Sequence, residues 1–394
     1  MNKAVFLFLS VMDFGGQERF VSRLSEILSK RYDVFVVLFD SSNIGYPVYG
    51  RILDIKLGEF KRRNILSKII KTFVRYYRMR SFIRLYKPVA CISFGRGPNL
   101  INLLCKRRNI KVFPSVRGYA TAEHITKSYL DRRLYCRADK IVCVSKGIDK
   151  IIRESVLPLR NKTTVLYNAY DVERIVQLSS EELGCQNFDG TPKLISVGTF
   201  RPEKGYWHLI KAVFVLKPKF PRIHLLILGN DYQNNGANLR SLVDKLGLCD
   251  NVTFDSWKTN PYSYIQKSDI YVLSSIREGF PNALVEGMVC GKPVVAADCL
   301  TGPREILSKK AFDTEATSIE LADYGILVPR LGLDEDYGTE ISPEEEKLAE
   351  AIELLASNSE LMKSYSDLSK QRAAQFSYDH CEKDYIRLIE GESS

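Results

Sequence analysis

The sequence predicts an α/β protein of two doubly wound parallel-sheet (Rossmann-like) domains facing across a cleft. Three observations carry this prediction. Short runs rich in Val, Ile and Leu alternate with amphipathic helical patterns, as strands buried on both faces by crossover helices require. The alternation halts in a polar stretch at 171–192 and then begins again. At 394 residues the chain also exceeds one ordinary core, so two cores of roughly two hundred residues or fewer are expected.

In the first set the expected strands lie at 4–10, 34–39, 89–93, 112–115, 141–144 and 164–167. A helix over 17–29 puts Phe20, Val21, Leu24, Ile27 and Leu28 on one face. The second set lies at 194–197, 224–228, 252–254, 270–273, 294–297 and 326–328. The domains are drawn at 1–175 and 176–373, and a terminal helix within 374–394 is expected to pack back on the first. Ligands of doubly wound sheets bind outside the carboxyl ends of the strands, which places the active site in the cleft. Residues 331–346 carry seven acids and no base, a solvated loop ending in the helix start Ser342-Pro343-Glu344-Glu345. The triplet Asp334-Glu335-Asp336 follows no strand end near the cleft, so no metal site is assigned to it.

Net charge is +10 but unevenly divided. Residues 1–175 carry 34 Lys and Arg against 14 Asp and Glu, net +20, and the remainder 23 against 33, net −10. An anionic surface meeting only the front half fits this asymmetry. Nine cysteines, without a C-x-x-C pair, sit mostly in apolar runs and read as core residues in a reducing compartment. The apolar opening at 4–12 runs straight into Asp13 and Glu18-Arg19 without a small-residue cleavage site, so it is expected to be a buried strand of a cytoplasmic protein.

Residues 61–87 hold ten Lys or Arg and no acid. Leu66, Ile69, Ile70, Phe73, Val74 and Tyr77 share one helical face, and Lys68, Lys71, Arg75 and Arg78 the opposite one. One reading is a surface helix with its apolar stripe on the sheet and its charges in water. The other is a basic amphipathic helix against an anionic membrane surface, peripheral on the inner face of the cell membrane. No nucleic-acid-reading motif accompanies the charge, so nucleic acid is not assigned as a partner.

The chemistry concentrates at 277–303. Glu278 and Glu286 stand eight positions apart around the turn Gly279-Phe280-Pro281-Asn282, with Pro281 suited to the first helical position. One carboxylate on the loop and one a turn inside the helix, beside exposed helix N–H groups, suit a ligand bearing both phosphate and hydroxyls, such as a nucleotide sugar. The strand at 194–197 ends in Gly198-Thr199-Phe200-Arg201-Pro202-Glu203-Lys204-Gly205, where Arg201 and Lys204 can neutralise a diphosphate. The first strand ends near Gly15-Gly16, which allow close backbone approach. These glycines do not form G-x-G-x-x-G, which weakens a nicotinamide oxidoreductase reading.

Five stretches in order make the chain resemble glycosyltransferase family 4, the retaining enzymes of the GT-B fold: G-G-Q-E-R at 15–19, A-D-K-I-V-C-V-S-K-G at 138–147, T-V-L-Y-N-A-Y-D at 164–171, V-G-T-F-R-P-E-K-G at 197–205 and E-G-F-P-N-A-L-V-E-G-M at 278–288. The run ending at Leu307 is similar to members that build bacterial surface polysaccharides, capsule or lipopolysaccharide, and lipid-linked oligosaccharides. The resemblance implies a hexosyl- or N-acetylhexosaminyltransferase using a nucleotide diphosphate donor, UDP-linked, and a glycan or polyprenyl-linked acceptor, with no metal or other cofactor. It implies that Arg201 and Lys204 hold the diphosphate with Gly16 closing over it, that Glu286 binds the ribose and that Glu278 meets the transferred sugar. Phe280, Pro281 and Asn282 would then offer backbone N–H groups, with Gly15 and Gly198 beside the donor. Many relatives carry a histidine after the fourth strand; here the loop reads Ser115-Val116-Arg117-Gly118-Tyr119, and Arg117 or His124 stands in for it. An epimerase or phosphorylase on the same fold, or a non-catalytic sugar- or lipid-binding protein, are the rival readings.

Overall fold

The computed structural model describes residues 3–13, 15–56, 65–182, 189–232, 234–310 and 314–391. The chain forms two compact units, Met1–Ala169 with Tyr378–Ser394, and Tyr170–Ser377. In the first, β1 (Ala4–Leu9), α1 (Gly16–Ser29), β2 (Asp33–Leu38), β3 (Arg51–Asp54), α2 (Ile65–Tyr86), β4 (Ala90–Phe94) and α3 (Arg96–Leu104) come first. They are followed by β5 (Lys111–Val116), α4 (Tyr119–Lys127), α5 (Tyr129–Tyr135), β6 (Ile141–Cys143), α6 (Lys146–Ser155) and β7 (Thr163–Val165). Their sheet is wholly parallel in the order β3-β2-β1-β4-β5-β6-β7. The order reverses between β1 and β4, which is the switch point of a doubly wound sheet.

The second unit starts with α7 (Val172–Ser179), β8 (Lys193–Val197), α8 (Tyr206–Leu216), β9 (His224–Leu228), α9 (Gly236–Lys245), β10 (Val252–Asp255), α10 (Tyr262–Lys267) and β11 (Ile270–Leu273). Then come α11 (Asn282–Val289), β12 (Val294–Ala297), α12 (Pro303–Leu307), β13 (Glu320–Ala322), β14 (Gly325–Val328), α13 (Pro343–Ala356) and α14 (Ser359–Ala374). Its sheet runs β10-β9-β8-β11-β12-β14-β13, parallel except for β13 against β14, with the switch point between β8 and β11. All twelve strands expected from sequence are present; β3 and β13 are additional edge strands.

The chain passes between units at Ala169/Tyr170 and Ser377/Tyr378, rather than at 175/176 and 373/374. The reason is local: α7, capped by Asp171 accepting from the Arg174 N–H at 3.0 Å, packs on α10 and α11. At the other crossing α15 (Tyr378–Glu390) packs on α1 and sends Cys381, Tyr385, Ile386 and Ile389 into the first core beside Phe20 and Leu24. The face predicted for 17–29 is buried throughout. Ser342 and Glu345 cap α13 reciprocally, and the Asp336 carboxylate pairs with the buried Lys211 ammonium at 2.5 Å. Pro281 is the residue ahead of α11 rather than its first helical position, since its ψ of 95° is extended. The eight described cysteines are free thiols, six of them buried. Among the described residues no helix is long and apolar enough to cross a membrane.

Candidate active site

In the second unit two loops leave the carboxyl ends of adjacent strands at the switch point, one after β8 and one after β11. They are stitched together. The Ser274 hydroxyl donates to the Lys204 carbonyl at 3.0 Å, and the Ile276 N–H to the Glu203 carbonyl at 2.9 Å. Across this seam the Lys204 ammonium donates to the Glu278 carboxylate at 2.6 Å, and the Ser275 hydroxyl to the same oxygen at 2.8 Å. The Thr301 hydroxyl donates to the Glu278 carbonyl. Thus two residues 74 apart in sequence form one charged pair because β8 lies beside β11.

Backbone packing shapes the floor. A Cβ on Gly229 would lie 1.8 Å from the Gly198 carbonyl oxygen, and one on Gly198 would lie 3.1 Å from Lys204 Cε. Only glycines let the ends of β8 and β9 meet there and leave room for the lysine. The Tyr206 hydroxyl donates to the Gly198 carbonyl at 3.0 Å; burial, and next the Glu278 charge, push its pKa above the ordinary value. Burial likewise raises the Cys299 thiol, with Glu278 adding to it.

Arg201 is exposed, and its side chain has no hydrogen-bond or ion-pair partner among the described residues. Glu286 is buried on α11 at 4 % exposure; burial, with the Glu286 charge second, pushes the neighbouring Cys290 thiol up to about 12. Pro281, at the N-cap of α11, supplies no side-chain cap hydrogen bond. The turn ahead of it is anchored: the Tyr170 hydroxyl donates to Asn282 Oδ1 at 2.7 Å, and the Phe280 ring meets Phe376 edge-on at 5.5 Å. Sequence reasoning named Lys204, Glu278 and Asn282 but not their holders Ser275, Thr301 and Tyr170, whose hydroxyls carried no spacing signal. The arrangement offers two cations to a diphosphate and one buried carboxylate to paired hydroxyls.

In the first unit the loop after β1 holds Gly15 and Gly16 at its own switch point. The Glu18 carboxylate folds back over this loop: a Cβ on Gly15 would lie 2.2 Å from Glu18 Oε2. Burial raises the Glu18 pKa, its own N–H opposes this, and the Asp13 charge adds to the rise. Glu18 stands inside the G-G-Q-E-R stretch, yet only the folded geometry shows what it does there. Arg117 stacks on the Phe20 ring, its guanidinium carbon 3.8 Å from the centroid, and donates to Ser115 Oγ at 3.3 Å. His124 is exposed on α4.

The basic helix α2 departs from the surface-helix reading. Ile69, Ile70, Phe73 and Tyr77 are 47, 42, 59 and 63 % exposed, whereas Met79 and Ile83 are buried. Arg75 lies over the Phe39 ring, 3.8 Å from its centroid, and burial lowers its pKa. Arg78 donates to the Ile55 carbonyl and, at 2.9 Å, to that of Lys56. Hence Ile69, Ile70, Phe73 and Tyr77 of the stripe point to solvent, Val74 is half-buried and the side chain of Leu66 lies outside the described residues, while two of the four cations expected on the opposite, solvated face are held against the protein. Lys71 is half-buried, and the side chain of Lys68 lies outside the described residues.

Two family models match the chain: Glycosyltransferase Family 4 over residues 14–174 and Glycosyl transferases group 1 over 185–322. An uncharacterised glycosyltransferase of Methanocaldococcus jannaschii is 30 % identical over 353 residues, 84 % of this chain and 86 % of that protein. The N-acetylgalactosamine-N,N'-diacetylbacillosaminyl-diphospho-undecaprenol 4-alpha-N-acetylgalactosaminyltransferase of Campylobacter jejuni is 25 % identical over 98 % of this chain and 99 % of its own. Among solved structures, HepE of Anabaena in complex with UDP superposes with a TM-score of 0.71 at 17 % identity, covering 99 % of this chain and 100 % of that one. Its likeness is one of fold. The switch-point loops therefore belong to a GT-B enzyme, and the chain is a member of glycosyltransferase family 4.

Proposed function

We propose that this glycosyltransferase moves a sugar from a UDP-linked donor, with retention at the anomeric carbon, to a glycan carried on a polyprenyl diphosphate, in the synthesis of a bacterial surface polysaccharide. The observation that carries the reading is the Lys204–Glu278 pair in the same unit as the exposed Arg201 and the buried Glu286. The names of the Campylobacter relative and of the UDP-bound Anabaena structure support the acceptor and donor classes.

On this reading Glu286 accepts from the ribose hydroxyls, and the desolvation already suffered by its carboxylate makes those bonds selective. Lys204 and Arg201 take the diphosphate. As the anomeric C–O bond to phosphate breaks, negative charge grows on the departing oxygen, where two preset cations stabilise it without a divalent metal. The acceptor hydroxyl oxygen bonds to the anomeric carbon on the same face, and its proton passes to the departing phosphate oxygen. Glu278, held by Lys204 and Ser275, faces the sugar. Unit 1 receives the acceptor, on the inner face of the cell membrane.

Thermal shift across UDP- and GDP-sugars identifies the donor, because only a bound ligand raises the melting temperature. NMR of the product reads the anomeric configuration, and activity is expected to persist in EDTA. An inverted anomer, or transfer that needs an added divalent ion, would overturn the corresponding part.

A further inference from the structure

We propose that unit 1 carries a second ligand site, at the amino ends of its strands, for a small phosphomonoester that also bears hydroxyls. A cavity of about 460 Å³ opens there. Its walls come from residues at the start of neighbouring strands. Lys3 lies just before β1, Tyr32 before β2, Val89 before β4 and Asp139 two places before β6, while Lys111 opens β5. Ile389 and Glu390, from the last turn of α15, also line it. β1 has six residues, so about 20 Å of strand separates this cavity from the Gly15–Gly16 loop at the other end of the sheet. The cavity is therefore distinct from the switch point, and its volume is that of a small-molecule site.

The lining charges define the ligand. Four cations, Lys3, Lys106, Arg108 and Lys111, stand against two carboxylates, Asp139 and Glu390, an excess of two positive charges. Lys106 is committed within the wall, where it donates to the Ile110 carbonyl at 2.8 Å and pairs with Asp139. Asp139 also accepts from the Val112 N–H at 2.6 Å. Lys111 uses one of its three N–H groups on the Ile389 carbonyl at 2.8 Å, and Lys3 and Arg108 are exposed. These three cations are complementary to a phosphate monoester carrying nearly two negative charges. Glu390, which accepts from the Tyr32 hydroxyl at 3.4 Å, presents acceptor oxygens suited to ligand hydroxyls. Because Lys111 joins this cavity to the last turn of α15, an occupant also fastens the helix that completes the first core.

Calorimetric titration of the full chain at constant ionic strength tests this, with glucose 6-phosphate, inorganic phosphate and glucose as probes. Glucose 6-phosphate is expected to bind saturably, inorganic phosphate more weakly and glucose not at all. Lys3→Ser/Arg108→Ser should weaken glucose 6-phosphate binding by about ten-fold or more, whereas Arg201→Ala/Lys204→Ala should leave it unchanged. Without ligand the first double variant should melt with wild type, since both replaced side chains are exposed. If it melts lower, Arg108→Gln alone carries the test. Amide hydrogen exchange over Tyr378–Glu390 should slow when glucose 6-phosphate is added to wild type, and should not change in the unit 1 variant. Binding that survives Lys3→Ser/Arg108→Ser, or no saturable binding, would overturn the proposal. So would binding lost in Arg201→Ala/Lys204→Ala, which assigns the phosphate to unit 2. Inorganic phosphate bound as tightly as the ester would overturn the recognition of hydroxyls.

Discussion

The two units share the order of their first five strands, switch point included, yet build their glycine loops from different materials. In unit 2 the space of a Cβ on Gly229 is taken by the Gly198 carbonyl, backbone against backbone. In unit 1 the space of a Cβ on Gly15 is taken by the end of the Glu18 side chain, which can swing away. The loop of unit 2 is thus fixed by main chain that cannot give, and the loop of unit 1 is set by a carboxylate that can.

The largest effect expected on this contrast is on the rigid side. Lys204→Ala should lower kcat/KM by about 10³-fold with little change in melting temperature, as loss of one preset charge-stabilising donor does elsewhere. Near wild-type turnover would remove Lys204 from the site. Next comes Gly229→Ala, which must part β8 from β9 and is expected to cost about 3 kcal/mol in a denaturant titration. Gly15→Ala should change stability by about 0.5 kcal/mol or less, because the end of the Glu18 side chain can move aside. Equal destabilisation by the two alanines would break the comparison.

Smallest is the effect of Glu18→Gln on stability. A raised carboxyl binds its proton more tightly folded than unfolded, so its ionised form opposes folding above the folded pKa. That opposition fades as pH falls through the folded value, and it is gone below the ordinary carboxylate range near ~4. The variant should therefore melt higher than wild type at neutral pH, and the two curves should converge in acid. A gap that widens on acidification would show that the Glu18 carboxylate is stabilised rather than strained.

Strands buried on both faces were legible because continuous Val, Ile and Leu runs have few other uses. The two strands that escaped, β3 and β13, are short edges: Arg51-Ile52-Leu53-Asp54 has only two apolar residues, and β13 has three residues in all. Helical periodicity worked for α1 and misled for α2 on the surface-helix reading. It shows which side chains share a face but not what that face meets, and Arg75 found Phe39 where the stripe was expected to find the sheet. In the site, Lys204 and Glu278 were legible as residue types, whereas their pairing needed the strand order that sets β8 beside β11. Glu18 shows the same limit within a single loop.

The path of the chain has a consequence for the order in which the protein matures. Unit 1 is interrupted, and its core takes Tyr385, Ile386 and Ile389 from a helix that follows the whole of unit 2. Synthesis runs from the N-terminus, and domains usually fold in that order. Here a nascent chain released only as far as Ser377 contains every residue of unit 2, while Phe20 still lacks its Tyr385 neighbour. The half that emerges first is the half that closes last, so a chain stalled before α15 presents an unfinished unit 1 to chaperones and proteases while every residue of unit 2 is already in place.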